Sequence, residues 1–434
     1  MSGRLLLFVG LLASLLWGCG TKPAADSSLP GVPGGGPTST SPSGAENLGT
    51  TIAPISEEQA RAFGKAYRDS MLPGQTLPNG AENFIDWKAL VDRAMLNLDM
   101  SETNKAAFTR GVVSAVQGPN GLLAQLQSTI HSGGTFKMTR VLQEPAGTRV
   151  RFRMEHSEGG VNFHDYLLQD QGGRIRAIDI RIAATGEDMS QTLHRVEMLT
   201  LAQSNRSFLD RVTGRDVEFV KHFKDITAIT AANQSKNCEE ALRITATLPE
   251  SVRNEKFCLL QEYQAALSST RPEALVNVVE RFRSAYPHDV AVDLLSIDYY
   301  VTKENVPEAI QCALRFNKNL EGDAAVIALI AGLQLQNSQV EAARKSIDEA
   351  IQLEPDRQDS LWSKVMITAA QKEFATTRDT LKLLATDFGI DIDMSAYEQV
   401  EQMKPFLASP EGEELLKFLD SQANGNPESV IPGQ

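Results

Sequence analysis

The sequence predicts two fold classes in tandem: an α+β domain, with helices packed on a curved four-stranded antiparallel sheet, followed by an all-α helical solenoid. Three observations carry this. After Gly133-Gly134 the spacing of apolar residues changes from helical to alternating, with Val150, Phe152 and Met154 interleaved with Arg149, Arg151 and Arg153. Beyond residue 206 that alternation does not persist, and helical patterns follow one another across short breaks. Within that stretch Pro287 and Pro355 lie 68 residues apart, twice 34, as an internal repeat would place them.

The chain has 434 residues, 42% of them hydrophobic, enough for two or three cores. Its net charge of -13 is unevenly spread. Residues 51–200 carry 16 basic and 17 acidic side chains, whereas residues 201–434 carry 24 and 36. The acidic half repels phosphate backbones, and no basic run offsets it, which excludes nucleic acid as its partner.

The thirteen uncharged residues from Leu5 to Trp17 are too few for a spanning helix, which needs about 20, but suit the apolar core of an export signal. Leu16-Trp17-Gly18-Cys19 resembles a bacterial lipobox. The resemblance implies a signal peptide over 1–19 and lipid attachment at Cys19, which becomes the acylated N-terminus. It also implies an exported protein, lipid-anchored in the cell envelope, and Gly20 in place of aspartate points to the outer membrane, facing the periplasm. Residues 20–53 are rich in Gly, Pro, Ser and Thr and read as a flexible tether. Buried acyl chains contribute about 0.8 kcal/mol per methylene, so a multiply acylated cysteine holds firmly.

The α+β domain is expected over 54–203. Ser56-Glu57-Glu58-Gln59 is a capping box, followed by Ala60, Phe63 and Tyr67 at helical spacing. Trp87 to Leu98 forms a second amphipathic helix, Ser101 caps a third, and Leu122 to Ile130 forms a fourth. Strands follow through Arg149–Met154, Val161–Leu168 and Ile178–Ile182, with Arg149, Arg151 and Arg153 expected on a solvated face. A closing helix runs from Glu187 to Gln203.

This layout resembles the NTF2-like cone. It is also similar to periplasmic phospholipid carriers of the MlaC type, whose pattern is matched by Gly173, Asp179, Gly186 and Ser190. These resemblances imply a scaffold able to bind a lipid or small apolar ligand. Catalysis is not expected. His164 and Asp165 are consecutive in a strand and point to opposite faces, His156 and His194 lack a partner motif, and G-x-S-x-G, H-E-x-x-H and phosphate-loop patterns are missing. No cofactor or metal is implied. Cys238, Cys258 and Cys312 sit in apolar helical contexts and are expected to be reduced and buried.

Residues 206–424 carry the repeat. In the frame Ala324–Arg357, Ile327, Ile330 and Ala331 fall on a first helix, Ala343, Ile347 and Ala350 on a second, and Pro355 follows. This resembles a tetratricopeptide (TPR) repeat. The frame extends to Ile297, Tyr300, Ala309 and Ala313, then to Tyr263, Ala266, Phe282 and Pro287. It also extends to Leu361, Leu381 and Leu384, where Lys364 and Thr377 depart from it. Ala241 and Leu248 belong to an opening pair, Phe406–Leu419 to a cap, and 425–434 to a disordered tail. The resemblance implies an extended concave surface that binds a protein or peptide. By that frame it is lined by Leu294, Asp298, Ala328, Leu335, Trp362 and Met366, a mostly apolar set suited to an amphipathic segment. The Lys and Asn that clamp a C-terminal carboxylate in some relatives are missing. The expected function is therefore a membrane-anchored, non-catalytic adaptor, with carriage of an apolar ligand by the α+β domain as the alternative.

Overall fold

The computed structural model describes residues 52–72, 83–96, 98, 100–118, 121–157, 160–204 and 215–425. The signal peptide, Cys19, most of the tether and residues 426–434 lie outside the described residues. The chain divides into two compact units, one up to Leu295 and one from Ser296.

The first unit opens with α1 (Glu57–Ser70), α2 (Trp87–Ala94), α3 (Glu102–Gln117) and α4 (Leu122–His131). The Ser56 capping box is formed, and Ser101 accepts from the Asn104 amide. The fold begins before residue 54, because Ile52 is buried against Leu167 and Ile178, and the Ile55 amide donates to Thr148 Oγ1 at 2.9 Å.

An antiparallel meander follows: β1 (Thr135–Glu144), β2 (Gly147–Glu155), β3 (Val161–Asp170), β4 (Ile175–Ile182) and β5 (Glu187–Asp188). The sheet thus has five strands, where four were expected. After the turn at Gly186, with φ +66°, Glu187 and Asp188 pair with Ile182 and Arg181. The closing helix α5 (Met189–Ser204) therefore starts two residues after the expected Glu187.

One sheet face packs against α1 through a continuous ring cluster. Phe63, Tyr67, Phe84, Phe136, Phe152 and Tyr166 contact one another with ring centroids 4.5–6.0 Å apart. Such pairs add about 0.5–1.5 kcal/mol each beyond the area they bury. Tyr67 and Tyr166 are fully buried and satisfy each other's hydroxyls at 3.3 Å.

The opposite face corrects the sequence reading. Arg149, Arg151 and Arg153 are buried, not solvated. The register explains how: Arg151 lies opposite Asp165, Asp165 opposite Arg181, and Arg181 opposite Asp188, a row of alternating sign across four strands. Arg151 grips Asp165 through two bonds of 2.7 and 2.8 Å, and Arg181 grips Glu144 through bonds of 2.8 and 2.9 Å. Arg149 joins Asp188 at 2.9 Å. Burial pushes the Glu144 carboxyl up, but Arg181, Arg149 and Arg151 outweigh it and hold the group below its ordinary value. A buried charge survives only when paired in this way.

Helices complete the unit: α6 (Arg215–Lys221), α7 (Phe223–Gln234), α8 (Cys238–Thr247), α9 (Glu250–Arg253), α10 (Lys256–Ser268), α11 (Pro272–Ala285) and the start of α12 (Val290–Thr302). The second unit holds the end of α12 and then α13 (Val306–Asn319), α14 (Ala324–Gln336), α15 (Val340–Leu353), α16 (Gln358–Ala370) and α17 (Phe374–Thr386). A 3-10 turn at Met394–Tyr397 precedes α18 (Lys404–Leu407) and α19 (Pro410–Gly425).

The helix starts keep a strict period. Lys256, Val290, Ala324 and Gln358 begin successive first helices at intervals of 34, and Cys238, Pro272, Val306, Val340 and Phe374 begin the second helices at the same interval. The turns between paired helices repeat as well. Lys236, Glu304, Ser338 and Lys372 take φ of +57°, +55°, +58° and +60°. The amide of the next residue in each case, Asn237, Asn305, Gln339 or Glu373, reaches the carbonyl five residues back at 2.8–2.9 Å. This is the six-residue closing bond of a Schellman cap, which satisfies an orphan carbonyl and reverses the chain. The turn at Ser269–Arg271 breaks the pattern and uses the Ser269 hydroxyl instead.

Small side chains let paired helices approach: Ala331, Ala343 and Ala350 are fully buried between α14 and α15 with Ile347. Thr377, a misfit by sequence, is buried with its hydroxyl 2.8 Å from that of Thr368. Phe406 and Leu415 join Leu381 and Leu384 in one cluster, closing the array as a cap. Helix α19 continues through Gly425. Cys258 and Cys312 are buried, Cys238 is only half-buried, and none of the three is in a disulfide. Among the described residues, no helix is long and apolar enough to cross a membrane.

Candidate partner-binding face

Of the six residues the repeat frame assigns to the concave surface, Leu294 belongs to the first unit and is fully buried. The other five lie in the second unit. Asp298 and Ala328 are buried, while Leu335, Trp362 and Met366 are half-buried.

Helices α14 and α16 present this face for a reason visible in their composition. Helix α14 reads AAVIALIAGLQLQ and is apolar on all sides at its start, so its far end decides what meets water. There Gly332 is exposed, with open space where a Cβ would stand, and Leu335 and Gln336 follow it. One repeat later the same positions carry bulk. Trp362 stands 34 residues after Ala328, and Met366 stands 34 after Gly332. The result is a low floor on α14 beside an aromatic and thioether wall on α16. Leu335 packs against the Ile327, Ala331 and Ile347 cluster, and Trp362 and Met366 pack against the cluster of Leu361, Val365 and Leu384. These side chains are therefore held by core packing at one edge and reach solvent at the other. Trp362 is stacked on Tyr397, with centroids 5.8 Å apart and planes at 15°.

The polar residues of the sheet layer are spread over its two faces. His164 lies on the ring-filled face near Tyr166, where burial and His156 hold its imidazole down at about 4. Asp165 lies on the opposite face with Arg151. His194 Nδ1 is 2.7 Å from the Ala94 carbonyl. Of the four residues matched to the carrier pattern, two are brought together. Asp179 accepts from the Ser190 hydroxyl at 2.5 Å and the Ser190 amide at 3.1 Å, and Arg93 sits 3.1 Å away. Burial, then Asp188, raises the Asp179 carboxyl above its usual value. Gly173 sits in an open turn at φ +91°. Among the described residues no cluster of His, Cys, Asp or Glu could hold a metal ion.

Gly186 has a different role, which its sequence did not signal. A Cβ there would stand 2.0 Å from Asp289 Oδ1. Around it Lys256 Nζ meets Asp289 at 2.6 Å and Glu187 at 3.8 Å, and Arg195 also binds Glu187. Burial alone would raise the Glu187 carboxyl, but Arg195 and Lys256 hold it low. This cluster joins the sheet layer to α10 and the segment before α12 within the first unit. Lys256 and Asp289 lie 69 and 102 positions beyond Glu187 and belong to no motif with it, so pattern reading could not find the cluster. Glu197 was also missed. It is buried on α5, and burial pushes its carboxyl up to about 8.

No family model, curated protein or solved structure matches this chain.

Proposed function

We propose that this protein is a membrane-anchored lipoprotein that acts as a non-catalytic protein-interaction adaptor through a TPR-like solenoid. The observation that carries the reading is the 34-residue register of helix starts and of the left-handed turn residues Glu304, Ser338 and Lys372. An array of identical hairpins buries each apolar face only by stacking on its neighbours, and such stacking produces an extended surface suited to peptides and proteins. The apolar edge of Leu335, Trp362 and Met366 fits an amphipathic segment, in the helix-in-groove manner. Cys19 supplies the lipid anchor, and the residues up to Ile52 supply the tether that holds the folded units off an outer membrane facing the periplasm. The sheet layer serves the adaptor as a scaffold. Its ring-filled face weighs against the second reading, carriage of a lipid or small apolar ligand, because the space such a ligand needs is occupied by Tyr67, Phe152 and Tyr166.

The test is cross-linking in cells with the full chain and with a chain ending at Lys303, which keeps α12 whole. A protein recovered reproducibly with the first and lost with the second supports the adaptor, whereas an unchanged set of cross-linked proteins refutes it. Labelled fatty acid should enter the wild type and not Cys19→Ser. An organic extract of the purified protein should contain no stoichiometric lipid, since the acyl chains on Cys19 stay bonded to the protein.

A further inference from the structure

The groove residue Trp362 already has an aromatic partner stacked on it, and that partner is part of the chain. One repeat after α16 the register calls for another first helix, beginning 34 residues after Gln358 at Ile392. In its place residues 387–403 form an irregular strap, ordered only by the four-residue 3-10 turn at Met394–Tyr397. After the short α18, helix α19 resumes the register nearly in step, 36 residues after Phe374. The strap holds to the array by side chains. Ile392, Met394 and Met403 are buried in the same cluster as Leu361 and Val365, and Tyr397 stacks on Trp362. Its backbone is held by scattered turn bonds, such as Glu398 N–H to the Ser395 carbonyl at 3.2 Å and Val400 N–H to the Tyr397 carbonyl at 3.0 Å. A segment with few regular backbone hydrogen bonds opens at lower cost than the helices beside it, although Ile392, Met394 and Met403 leave the core when it does.

Its composition is that of a ligand more than of a repeat. DFGIDIDMSAYEQVEQM carries five acidic side chains, Asp387, Asp391, Asp393, Glu398 and Glu401, and no Lys or Arg. The apolar anchors are separated by these acids, so an amphipathic segment lies on the wall of the groove with its charged side outward.

We infer that the strap is a built-in occupant of the C-terminal end of the groove: it stands where a partner segment of the same chemistry, apolar and aromatic anchors interleaved with acids, would bind, and it must swing away for that partner to reach Trp362 and Met366. This deepens the adaptor reading and rests on it. The bistable element is the strap, closed in this structure, and a partner gains access in proportion to the fraction of molecules in which it is open.

A synthetic peptide of residues 387–403, fluorescently labelled, serves as the probe, with the full chain carrying Cys19→Ser as the receptor. Loosening the strap with Tyr397→Ala and Met394→Ala should tighten peptide binding by at least about tenfold over the chain with an intact strap, because the apparent affinity scales with the open fraction. Adding Trp362→Ala to the loosened chain should abolish the gain. Equal binding to the two chains, or binding to neither, overturns the inference. Hydrogen exchange on the chain with its native strap gives a readout that needs no substitution. Amides of 387–403 should exchange well ahead of those in α16 and α17, and exchange of all three segments together would show the strap to be a fixed part of the core. Failure here, with a partner still cross-linked to the second unit, removes the strap mechanism and leaves the adaptor standing.

Discussion

Glu197 is a residue whose chemistry is displaced far from the ordinary. Burial raises its carboxyl to about 8, so the folded state favours the protonated form. The sign follows from linkage: the unfolded chain releases this proton near the usual carboxylate value, so stability is lost as pH rises from there toward 8 and levels off above it. Glu197→Gln should therefore raise the melting temperature at pH 8.5 and change it little at pH 5. A pH-independent effect in thermal unfolding would show that the carboxyl is not protonated in the fold. Asp165 is a second case. It is paired with Arg151 through two short bonds, and Asp165→Asn should cost about 3–5 kcal/mol in denaturant unfolding by removing the charge that faces this buried guanidinium. The left-handed turn residues are a third case. Lys372 at φ +60° pays the Cβ penalty that glycine avoids, so Lys372→Gly should stabilise the second unit by about 1 kcal/mol.

At the scale of elements, what could be read from sequence follows from how far apart the determining residues lie. The capping box at Ser56, the alternation through Arg149–Met154 and the small residues Ala331, Ala343 and Ala350 are local, and their elements formed as expected. The fifth strand was not legible, because two residues carry no periodicity and Glu187–Asp188 pair with β4 only once the Gly186 turn places them. The arginine stripe misled for a related reason. Alternation reports which residues share a face, but the burial of Arg149 and Arg151 depends on Asp188 and Asp165, supplied by other strands. Lys364 and Thr377 broke the repeat pattern by type, yet Asp348 and Thr368 satisfy them, with Lys364 Nζ 3.1 Å from Asp348. The contact between the sheet layer and α10 yields a prediction of its own. Gly186→Ala meets both a left-handed backbone and Asp289, whereas Gly173→Ala meets only the former. The first should lower the melting temperature of the whole first unit by several degrees more than the second, and equal effects would mean that Asp289 yields freely.

For the molecule as a whole, the acidic balance of residues 201–434 and the helical register are two sides of one design. Charged side chains fill the outward positions of the hairpins, with Arg344 and Lys364 meeting Asp348, while small and aliphatic residues fill the seams. Of the six residues the repeat frame assigned to the groove, Leu335, Trp362 and Met366 are half-buried, whereas Leu294, Asp298 and Ala328 are buried. The frame could not foresee Tyr397, which stacks on Trp362 from a segment where the pattern fades. The central claim is that this face, and no other, meets a protein partner. Site-specific photo-cross-linking in cells tests it most directly, with the cross-linker at Leu335 in one full-length chain and at Lys345, exposed on α15, in another. The account predicts a discrete protein adduct from position 335 and none from 345, whereas equal labelling from both positions, or from neither, would contradict it.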